Sequence, residues 1–308
     1  MLRVGGADES GATLANGPGT IHLSFVATGG VMATILILSS QVARGYVGGS
    51  AARVALEALG HDAWLIPTVI LSNHPGHALF AGEQVPPGRL RAIIEALEGN
   101  GWLGEVDAVL TGYLPTPEHV AIAARTCETV RAANPHAILL CDPILGDDPG
   151  GLYVAETAAM AIRDMLLPLA DCATPNRFEL AWLTGAPVAD ANEAHKAAQT
   201  LGPNDVLVTS VPGNEPDTLA NLLVERTAAW QTVVTRREVA PHGTGDVAAA
   251  LFLGHRLNGA PPRDTLALAT AGVEAVLEAS GNDDELALVA ARQNWTGAKP
   301  WPIREVTI

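Results

Sequence analysis

The chain has 308 residues, of which 48% are hydrophobic and 17% charged, a composition that excludes disorder for most of its length. Its formal charge of −15 opposes binding to nucleic acid or to an anionic membrane, because both favour basic surfaces. Only two lysines occur, Lys196 and Lys299, and no GxxxxGK motif is present. These facts argue against a Walker-type phosphate loop and against an enzyme that holds its cofactor as a lysine Schiff base.

The first 43 residues divide into two parts. Residues 1–20 are rich in Gly, Ala, Ser and Thr without apolar periodicity, so we expect an unstructured extension there. Residues 21–43 are uncharged and long enough to suggest a membrane helix or a signal sequence. The pair Gly29–Gly30 interrupts that run, which favours a buried strand at about 31–38 instead.

Beyond this point, short apolar runs alternate with longer segments of helical period. The runs predicted as strands cover residues 32–38, 63–71, 106–112, 137–143, 171–175 and 205–210. The segments predicted as helices cover residues 51–60, 87–99, 117–135, 156–170, 177–185, 243–257 and 262–281. Residues 218–239 alternate like two antiparallel strands that close one side of the sheet. The pattern predicts an α/β fold with a mostly parallel sheet, helices on both faces and no linker.

Three cysteines, Cys127, Cys141 and Cys172, are an odd number at spacings that suit neither a disulfide framework nor a zinc site. They predict reduced thiols in the core of a cytoplasmic protein.

Polar residues cluster at the ends of the predicted strands, where ligands bind in open parallel sheets. They are Ser39, Ser40, Gln41, Thr111, Tyr113, Asp142, Asp147, Asp148, Thr174, Asn176, Glu179, Thr209 and Ser210. A single acid such as Asp142 is usually a turn former or a helix cap. Several carboxylates on one sheet edge repel each other unless protons or cations lie among them, and Mg²⁺ uses such ligands. The spacing alone leaves both interpretations open.

The stretch PHGTGDVAAALFLGH, residues 241–255, places Asp246 at a predicted helix start behind two glycines. Asp is favoured there as a cap, because its carboxylate meets unpaired amides. The same glycine amides can also hold a phosphate, and the acid can then take a proton from an attacking hydroxyl. Together with the acids at the strand ends, the stretch points to phosphoryl transfer that needs no lysine.

From about residue 32 to the end, ordered motifs identify a resemblance to the pyridoxal kinases of the ribokinase-like superfamily. The motifs are SSQVARGYVGGSAA, PTVILSNHPGHALFAG, VLTGY, CDPILGDDPGGLYV, ATPNRFELAWLTG, VLVTS and GTGD. The resemblance implies a three-layer ribokinase-like sandwich and one kinase domain over residues 21–308. It also implies phosphorylation of the 5′-hydroxymethyl group of pyridoxal, pyridoxine or pyridoxamine by ATP and Mg²⁺, often with K⁺ or Na⁺, in a cytoplasmic homodimer.

The resemblance also implies residue roles. Asp246 is the expected base, and Gly243, Thr244 and Gly245 form the expected anion hole. Asp142 and Glu179 are expected at the metal, and Ser40, Val69, Leu71 and Tyr113 are expected around the vitamin ring. The remaining expected ATP contacts are Asp142, Asp147, Thr174, Asn176, Thr209 and Ser210, together with Gly243 and Gly245.

Three departures from the family pattern fall on the acceptor side. Gln41 stands where the family usually has histidine, Leu71 replaces a frequent aromatic, and Pro75 replaces a polar residue that is often threonine. Proline carries no backbone hydrogen to donate, and leucine offers no stacking surface. The sequence therefore supports phosphoryl transfer more strongly than it supports pyridoxal as the acceptor.

Two other functions stay open. One is a kinase for another hydroxymethyl heterocycle such as hydroxymethylpyrimidine, although that subfamily opens with a GSDSSGGAG-like loop where this chain has SSQVARGYVGG. The other is a non-catalytic protein that binds pyridoxal or a nucleotide, against which the retained Asp246 argues. Of the remaining histidines, His74 and His77 are expected in a turn rather than a metal site, and His242 in an exposed loop. Residues 72–82 and 211–218 are the candidate lids.

Overall fold

A computed structural model describes residues 32–306 of the chain. The strands are β1 (Thr34–Val42), β2 (Asp62–Leu71), β3 (Gly82–Gln84), β4 (Ala108–Thr111), β5 (Ile138–Cys141), β6 (Gly146–Asp147), β7 (Gly151–Leu152), β8 (Cys172–Ala173), β9 (Asp205–Pro212), β10 (Thr218–Val224), β11 (Ala229–Thr235) and β12 (Ile303–Glu305). The helices are α1 (Gly48–Ala58), α2 (Pro87–Gly99), α3 (Pro117–Ala133), α4 (Glu156–Ala161), α5 (Arg177–Thr184), α6 (Ala191–Thr200), α7 (Thr244–Leu257), α8 (Pro262–Ser280) and α9 (Arg292–Thr296). The extension expected over residues 1–20 lies outside the described residues.

The main sheet has ten strands in the order β12-β11-β10-β9-β8-β5-β4-β1-β2-β3. The strands from β9 to β2 in this order pair in parallel, β10, β11 and β12 pair antiparallel at one edge, and β3 pairs antiparallel at the other. The carboxyl ends of the parallel strands therefore share one side of the sheet. Helices α1 and α5 begin at that side because each follows a parallel strand.

Strand β1 lies inside the sheet between β4 and β2, and its alternating side chains pack on opposite faces. Leu36 and Leu38 belong to a core formed with α2, α3 and α4, whereas Ile35 and Ile37 belong to a core formed with α1, α7 and α8. All four side chains are fully buried. A strand covered on both faces reads as a continuous apolar run, which is why the sequence MATILIL lacks polar alternation. The mostly parallel sheet with helices on both faces is thus confirmed.

Several boundaries differ from those expected. The helix predicted over residues 156–170 is α-helical only to Ala161 and continues as a π turn over Ile162–Leu166 and a 3-10 turn over Leu167–Leu169. The strand predicted over residues 171–175 is reduced to Cys172–Ala173, because the chain turns at once into the cap of α5. The edge strands β3 and β12 were not predicted, since each is short and mostly exposed.

The three cysteines are free and buried, as expected. Within residues 32–306, no helix combines the length and the apolar character needed to cross a membrane.

Candidate active site

Three carboxyl groups from different parts of the sequence meet at the carboxyl side of the sheet. Asp142 follows β5, Glu179 lies in the first turn of α5, and Asp246 lies in the first turn of α7. Burial, and then the charges of Asp246 and Glu179, raise the pKa of Asp142; burial, and to a smaller extent the charge of Asp246, raise the pKa of Glu179. Such mutual influence places the three groups in one electrostatic cluster.

Asp246 lies behind a glycine loop that opens α7. Gly243 is the N-cap of the helix with a φ of 94°, a left-handed conformation that favours glycine. A Cβ atom at Gly243 would collide with the carbonyl oxygen of Tyr46, so the loop packs closely on the β1–α1 connection. At Gly245, by contrast, an added Cβ would meet nothing within 4 Å. Thr244 Oγ1 donates to the Pro241 carbonyl oxygen at 2.8 Å and closes the turn.

The environment of Asp246 suits a proton acceptor. Burial raises its pKa to about 6, and a backbone hydrogen bond from Gly48 partly offsets that rise. The group is therefore ionised at neutral pH but basic enough to accept a proton. Gly48 is the first residue of α1. The motif GYVGG therefore supplies a hydrogen bond to Asp246, the acid at the end of the motif GTGD.

Glu179 is tied to the backbone by both carboxylate oxygens. Its Oε2 accepts from the Asn176 amide at 2.9 Å, and its Oε1 accepts from the amides of Leu145 at 2.7 Å and Gly146 at 3.5 Å. Asn176 Oδ1 accepts in turn from the Glu179 amide at 2.9 Å, which completes a capping box. Burial raises the pKa of Glu179 to about 7. Glu179 thus fixes the loop after β5 against the start of α5.

Asp142 is buried and has a freer carboxylate than Glu179. Its Oδ1 accepts from Thr174 Oγ1 at 2.9 Å, while burial and the two neighbouring acids raise its pKa well above the ordinary value. A divalent cation beside these groups would relieve their repulsion, so the donor set fits Mg²⁺. Among the described residues, no group of three or more His, Cys, Asp or Glu side chains is arranged to enclose a metal ion by itself. Such a site would need further ligands from phosphate or water.

The remaining residues expected on the nucleotide side extend along the same edge. Asn176 Nδ2 donates to the Gly146 carbonyl oxygen at 2.8 Å, and Asn176 forms a parallel bridge with Thr209. Ser210 is exposed and has a φ of 61°, where the register between β9 and β10 shifts. Asp147 lies exposed in the β6–β7 hairpin, where its carboxylate is hydrogen-bonded to the Tyr153 hydroxyl. Left-handed φ values outside glycine are uncommon and cluster at functional sites.

Of the residues expected around the acceptor ring, only some are connected to Asp246. Ser40 is buried, and its Oγ occupies the space that a Cβ at Gly48 would need. Tyr113 is half-buried, and its amide donates to Ser39 Oγ at 3.1 Å. Val69 is buried near the end of β2, and Leu71 is half-buried at that end. Ser40 is therefore joined to Asp246 through Gly48, whereas the structure brings Val69 and Leu71 only to the same side of the sheet.

The other departures from the family pattern are exposed. Gln41 lies at an irregularity in the register between β1 and β2, and Pro75 lies in the connection from β2 to β3.

Two residues of the site were not singled out from the sequence. Gly48 had no predicted role of its own within the motif SSQVARGYVGGSAA, and its hydrogen bond to Asp246 depends on a contact between distant segments. Ile144 has a φ of 44°, unusual for a β-branched residue, and its Cδ1 is 3.2 Å from the position of a Cβ at Gly112. Nothing in the sequence CDPILGD signals this conformation, because isoleucine rarely adopts it. His242 is exposed, as expected, but its ring also stacks on His74.

Several known proteins are similar to this chain. A family model described as phosphomethylpyrimidine kinase matches residues 55–286. A pyridoxal kinase, PdxY, of Corynebacterium diphtheriae is 35% identical over 266 residues, which cover 84% of this chain and 94% of the relative. A PdxY of Leifsonia xyli subsp. xyli is 39% identical over 227 residues, covering 72% of this chain and 80% of the relative.

Among solved structures, the pyridoxal kinase of Leishmania donovani in complex with ADP and pyridoxamine superposes with a TM-score of 0.84 at 30% identity. The match covers 89% of this chain and 99% of the other. The fold is therefore ribokinase-like, and this chain is a phosphotransferase of the pyridoxal kinase family.

Proposed function

We propose that this chain transfers the γ-phosphoryl group of ATP to the 5′-hydroxymethyl group of pyridoxal, and that pyridoxine and pyridoxamine are alternative acceptors. The observation that carries the proposal is the position of Asp246, which stands at the start of α7 behind a glycine loop and beside two further carboxyl groups. The relatives named as pyridoxal kinases, and the related structure with ADP and pyridoxamine, support the choice of acceptor.

Asp246 accepts the proton of the acceptor hydroxyl. As the oxygen of the acceptor hydroxyl bonds to the γ-phosphorus, the bond between the γ-phosphorus and the oxygen that bridges it to the β-phosphorus breaks. ADP leaves with the electron pair of that bond. The pKa of about 6 leaves Asp246 ionised at neutral pH, and the Gly48 amide holds its carboxylate in place. The base therefore needs no partner histidine.

The amides of Gly243, Thr244 and Gly245 receive the charge that develops on the transferred group. They lie at the positive end of the α7 dipole, where anions are stabilised. The open space at Gly245 lets a phosphoryl group approach the backbone closely, and the turn closed by Thr244 keeps the amides in place before substrate binds. Lysine is not required for this part of the reaction.

Asp142, whose carboxylate accepts from Thr174, and Glu179, whose charge acts on Asp142, are the residues that would hold Mg²⁺. When bound, the ion would neutralise phosphate charge. We assign the remaining nucleotide contacts to residues along the same edge, namely Asp147, Thr174, Asn176, Thr209 and Ser210. We assign the ring contacts to Ser40, Val69, Leu71 and Tyr113. The monovalent cation, the homodimer, the single kinase domain over residues 21–308 and the cytoplasmic location stay predictions from the resemblance.

A second candidate is the kinase of a hydroxymethylpyrimidine, because the matching family model carries the description phosphomethylpyrimidine kinase. It would use the same base, glycine loop and metal. The two candidates differ only in the acceptor, where Gln41, Leu71 and Pro75 depart from the pyridoxal kinase pattern.

The test is an assay of the purified chain with Mg-ATP and pyridoxal, following pyridoxal 5′-phosphate by its absorbance and ADP by a coupled reaction. We expect equal amounts of the two products. Binding of pyridoxal and ATP without either product, over a range of Mg²⁺ and K⁺ concentrations, would refute the kinase assignment and favour a non-catalytic binding protein.

A further inference from the structure

The rings of His74 and His242 stack on each other, although the two residues come from distant parts of the chain. Their centroids are 3.7 Å apart and their planes differ by 22°. His74 lies in the β2–β3 segment, residues 72–81, and His242 directly precedes Gly243 at the N-cap of α7. One aromatic contact thus joins the β2–β3 segment to the glycine loop of Asp246.

The His74 ring is fixed in one orientation. The Gly76 amide donates to His74 Nδ1 at 3.0 Å, and since an amide can only donate, the ring proton of neutral His74 lies on Nε2. Burial, and then the charges of His242 and His77, lower the pKa of His74 to about 4. His74 is therefore uncharged at neutral pH, so no repulsion between two imidazolium ions opposes the stack. A Cβ at Gly76 would lie 3.1 Å from His242 Nε2, which leaves little room for a side chain there.

The same segment has a second group of contacts with distant residues. His77 Nδ1 lies 3.6 Å from Asp284 Oδ2, and His77 Nε2 lies 3.6 Å from Glu285 Oε1. Arg44, from the β1–α1 connection, donates to Glu285 Oε1 at 2.9 Å. Among the described residues, the charged and titratable groups in contact with the histidine pair and its segment include His77, Asp284, Glu285 and Arg44.

The β2–β3 segment also borders the acceptor side of the site. The Arg44 amide donates to the Ser72 carbonyl oxygen at 2.9 Å, and the Ala43 amide donates to the Leu71 carbonyl oxygen at 2.9 Å. The segment thus runs beside the strand end that carries Ser40. The glycine loop packs on the same β1–α1 connection, through the close approach of Gly243 to Tyr46.

We propose that His242 is a positioning residue that docks the β2–β3 segment onto the glycine loop by stacking on His74, and so closes the acceptor side of the site. The inference rests on the proposed function for its kinetic consequence, but not for the docking itself. Docking couples two loops that handle different substrates, because His74 belongs to the acceptor side and His242 adjoins the phosphate-binding amides. Loss of the stack should therefore weaken acceptor binding more than it slows the chemical step.

The test compares His242→Ala with His242→Phe, which keeps an aromatic ring at the same position. His136→Ala is the matched control, because His136 is an exposed histidine between α3 and β5. We expect His242→Ala to raise KM for pyridoxal about three- to tenfold, the range that an aromatic pair supplies, with kcat and KM for ATP within about twofold. His242→Phe should restore the KM of the unchanged protein.

Limited proteolysis with chymotrypsin gives a readout that does not depend on activity. Leu79 and Phe80 are 87% and 55% exposed within the segment, so cleavage there reports undocking. We expect His242→Ala to be cleaved at these residues at least about threefold faster than the unchanged protein, since losing the stack shifts the segment towards its undocked state. Cleavage of His242→Phe and His136→Ala should be unchanged.

If His242→Ala and the unchanged protein have equal KM for pyridoxal and equal cleavage rates, the inference is overturned. It is also overturned if His242→Phe shows the same rise in KM and in cleavage rate as His242→Ala. If the unchanged protein does not phosphorylate pyridoxal, the proposed function fails, and the cleavage rates alone decide whether His242 docks the segment.

Discussion

Two parts of the site differ in how their residues are held. The acid side carries the three carboxyl groups, and the acceptor side is the part where the vitamin ring is expected to bind. Asp142, Glu179 and Asp246 are each held by hydrogen bonds to a neighbouring hydroxyl or backbone amide. On the acceptor side, Gln41 and Pro75 are exposed, and the β2–β3 segment is joined to the rest of the chain by a backbone hydrogen bond from Arg44 to Ser72 and by histidine side chains. Groups that must meet a transition state need fixed positions, whereas a surface that admits an acceptor can vary. The comparison predicts large losses from the acid side and small changes from the acceptor side.

The largest effect is expected from Asp246→Asn, which removes the base while keeping nearly the same shape. We expect kcat to fall about 10³-fold, the usual contribution of general base catalysis, with ATP binding retained. Steady-state kinetics and calorimetry measure the two quantities. Asp264→Asn is the control, since Asp264 is an exposed aspartate in the first turn of α8. An active Asp246→Asn protein would remove Asp246 from the mechanism.

Gly48→Ala should follow, because Gly48 has a φ of 54° and an added Cβ would collide with Ser40 Oγ. Movement of the Gly48 amide would misplace the Asp246 carboxylate, and we expect kcat/KM to fall about 10²-fold. Gly88→Ala, at the start of α2, meets nothing within 4 Å and should leave activity unchanged. Equal activity of the two variants would show that Gly48 does not position the base.

Glu179→Ala should act mainly on stability. It leaves the amides of Leu145, Gly146 and Asn176 without their acceptor, and we expect the free energy of unfolding to fall by about 2 kcal/mol. Urea denaturation measures this change. Glu179→Gln keeps an acceptor oxygen and should lose less. If both variants unfold like the unchanged protein but lose Mg²⁺-dependent activity, Glu179 acts on the metal rather than on the backbone.

The pH dependence tests the ionisation of Asp246. Burial raises its pKa to about 6, and only the ionised form can accept a proton. We expect kcat/KM for the acceptor to be constant above this pH and to fall about tenfold per pH unit below it. The residual activity of Asp246→Asn should lack this dependence. A profile that stays flat down to pH 5 would contradict the assignment.

The smallest effects are expected from restoring the family residues on the acceptor side. Leu71→Phe supplies a stacking surface and Pro75→Thr supplies a hydroxyl, so each should change KM for pyridoxal by about two- to tenfold without changing KM for ATP. Kinetics with each substrate varied in turn measure the split. Losses as large as that of Asp246→Asn would show that the acceptor side is as rigid as the acid side.

Much of the difference between the acid side and the acceptor side could be predicted from the sequence, because it depends on local patterns. The alternation of short apolar runs with segments of helical period predicted the sheet, and the rule for strand ends predicted where Asp142 and Glu179 lie. The sequence NRFE also satisfies the pattern of a capping box. The role of Glu179 as an acceptor for backbone amides could therefore have been predicted, although the sequence analysis expected Glu179 at the metal.

Other features depend on contacts between distant segments. The hydrogen bond from Gly48 to Asp246 and the stack of His74 on His242 form only when the sheet brings their loops together. The short length of β8 could not be predicted either, because an apolar strand and the helix cap that follows it compete for the same residues. Sequence patterns therefore identified the reacting groups better than the residues that position them.

The most direct test of the central claim is a competition assay with Mg-ATP and equal concentrations of pyridoxal and hydroxymethylpyrimidine, with both phosphorylated products quantified by mass spectrometry. The ratio of the two initial rates equals the ratio of the kcat/KM values. We predict predominant formation of pyridoxal 5′-phosphate, and loss of both products in Asp246→Asn. Predominant phosphorylation of the pyrimidine would contradict the assigned acceptor, and product formation by Asp246→Asn at the unchanged rate would contradict the mechanism.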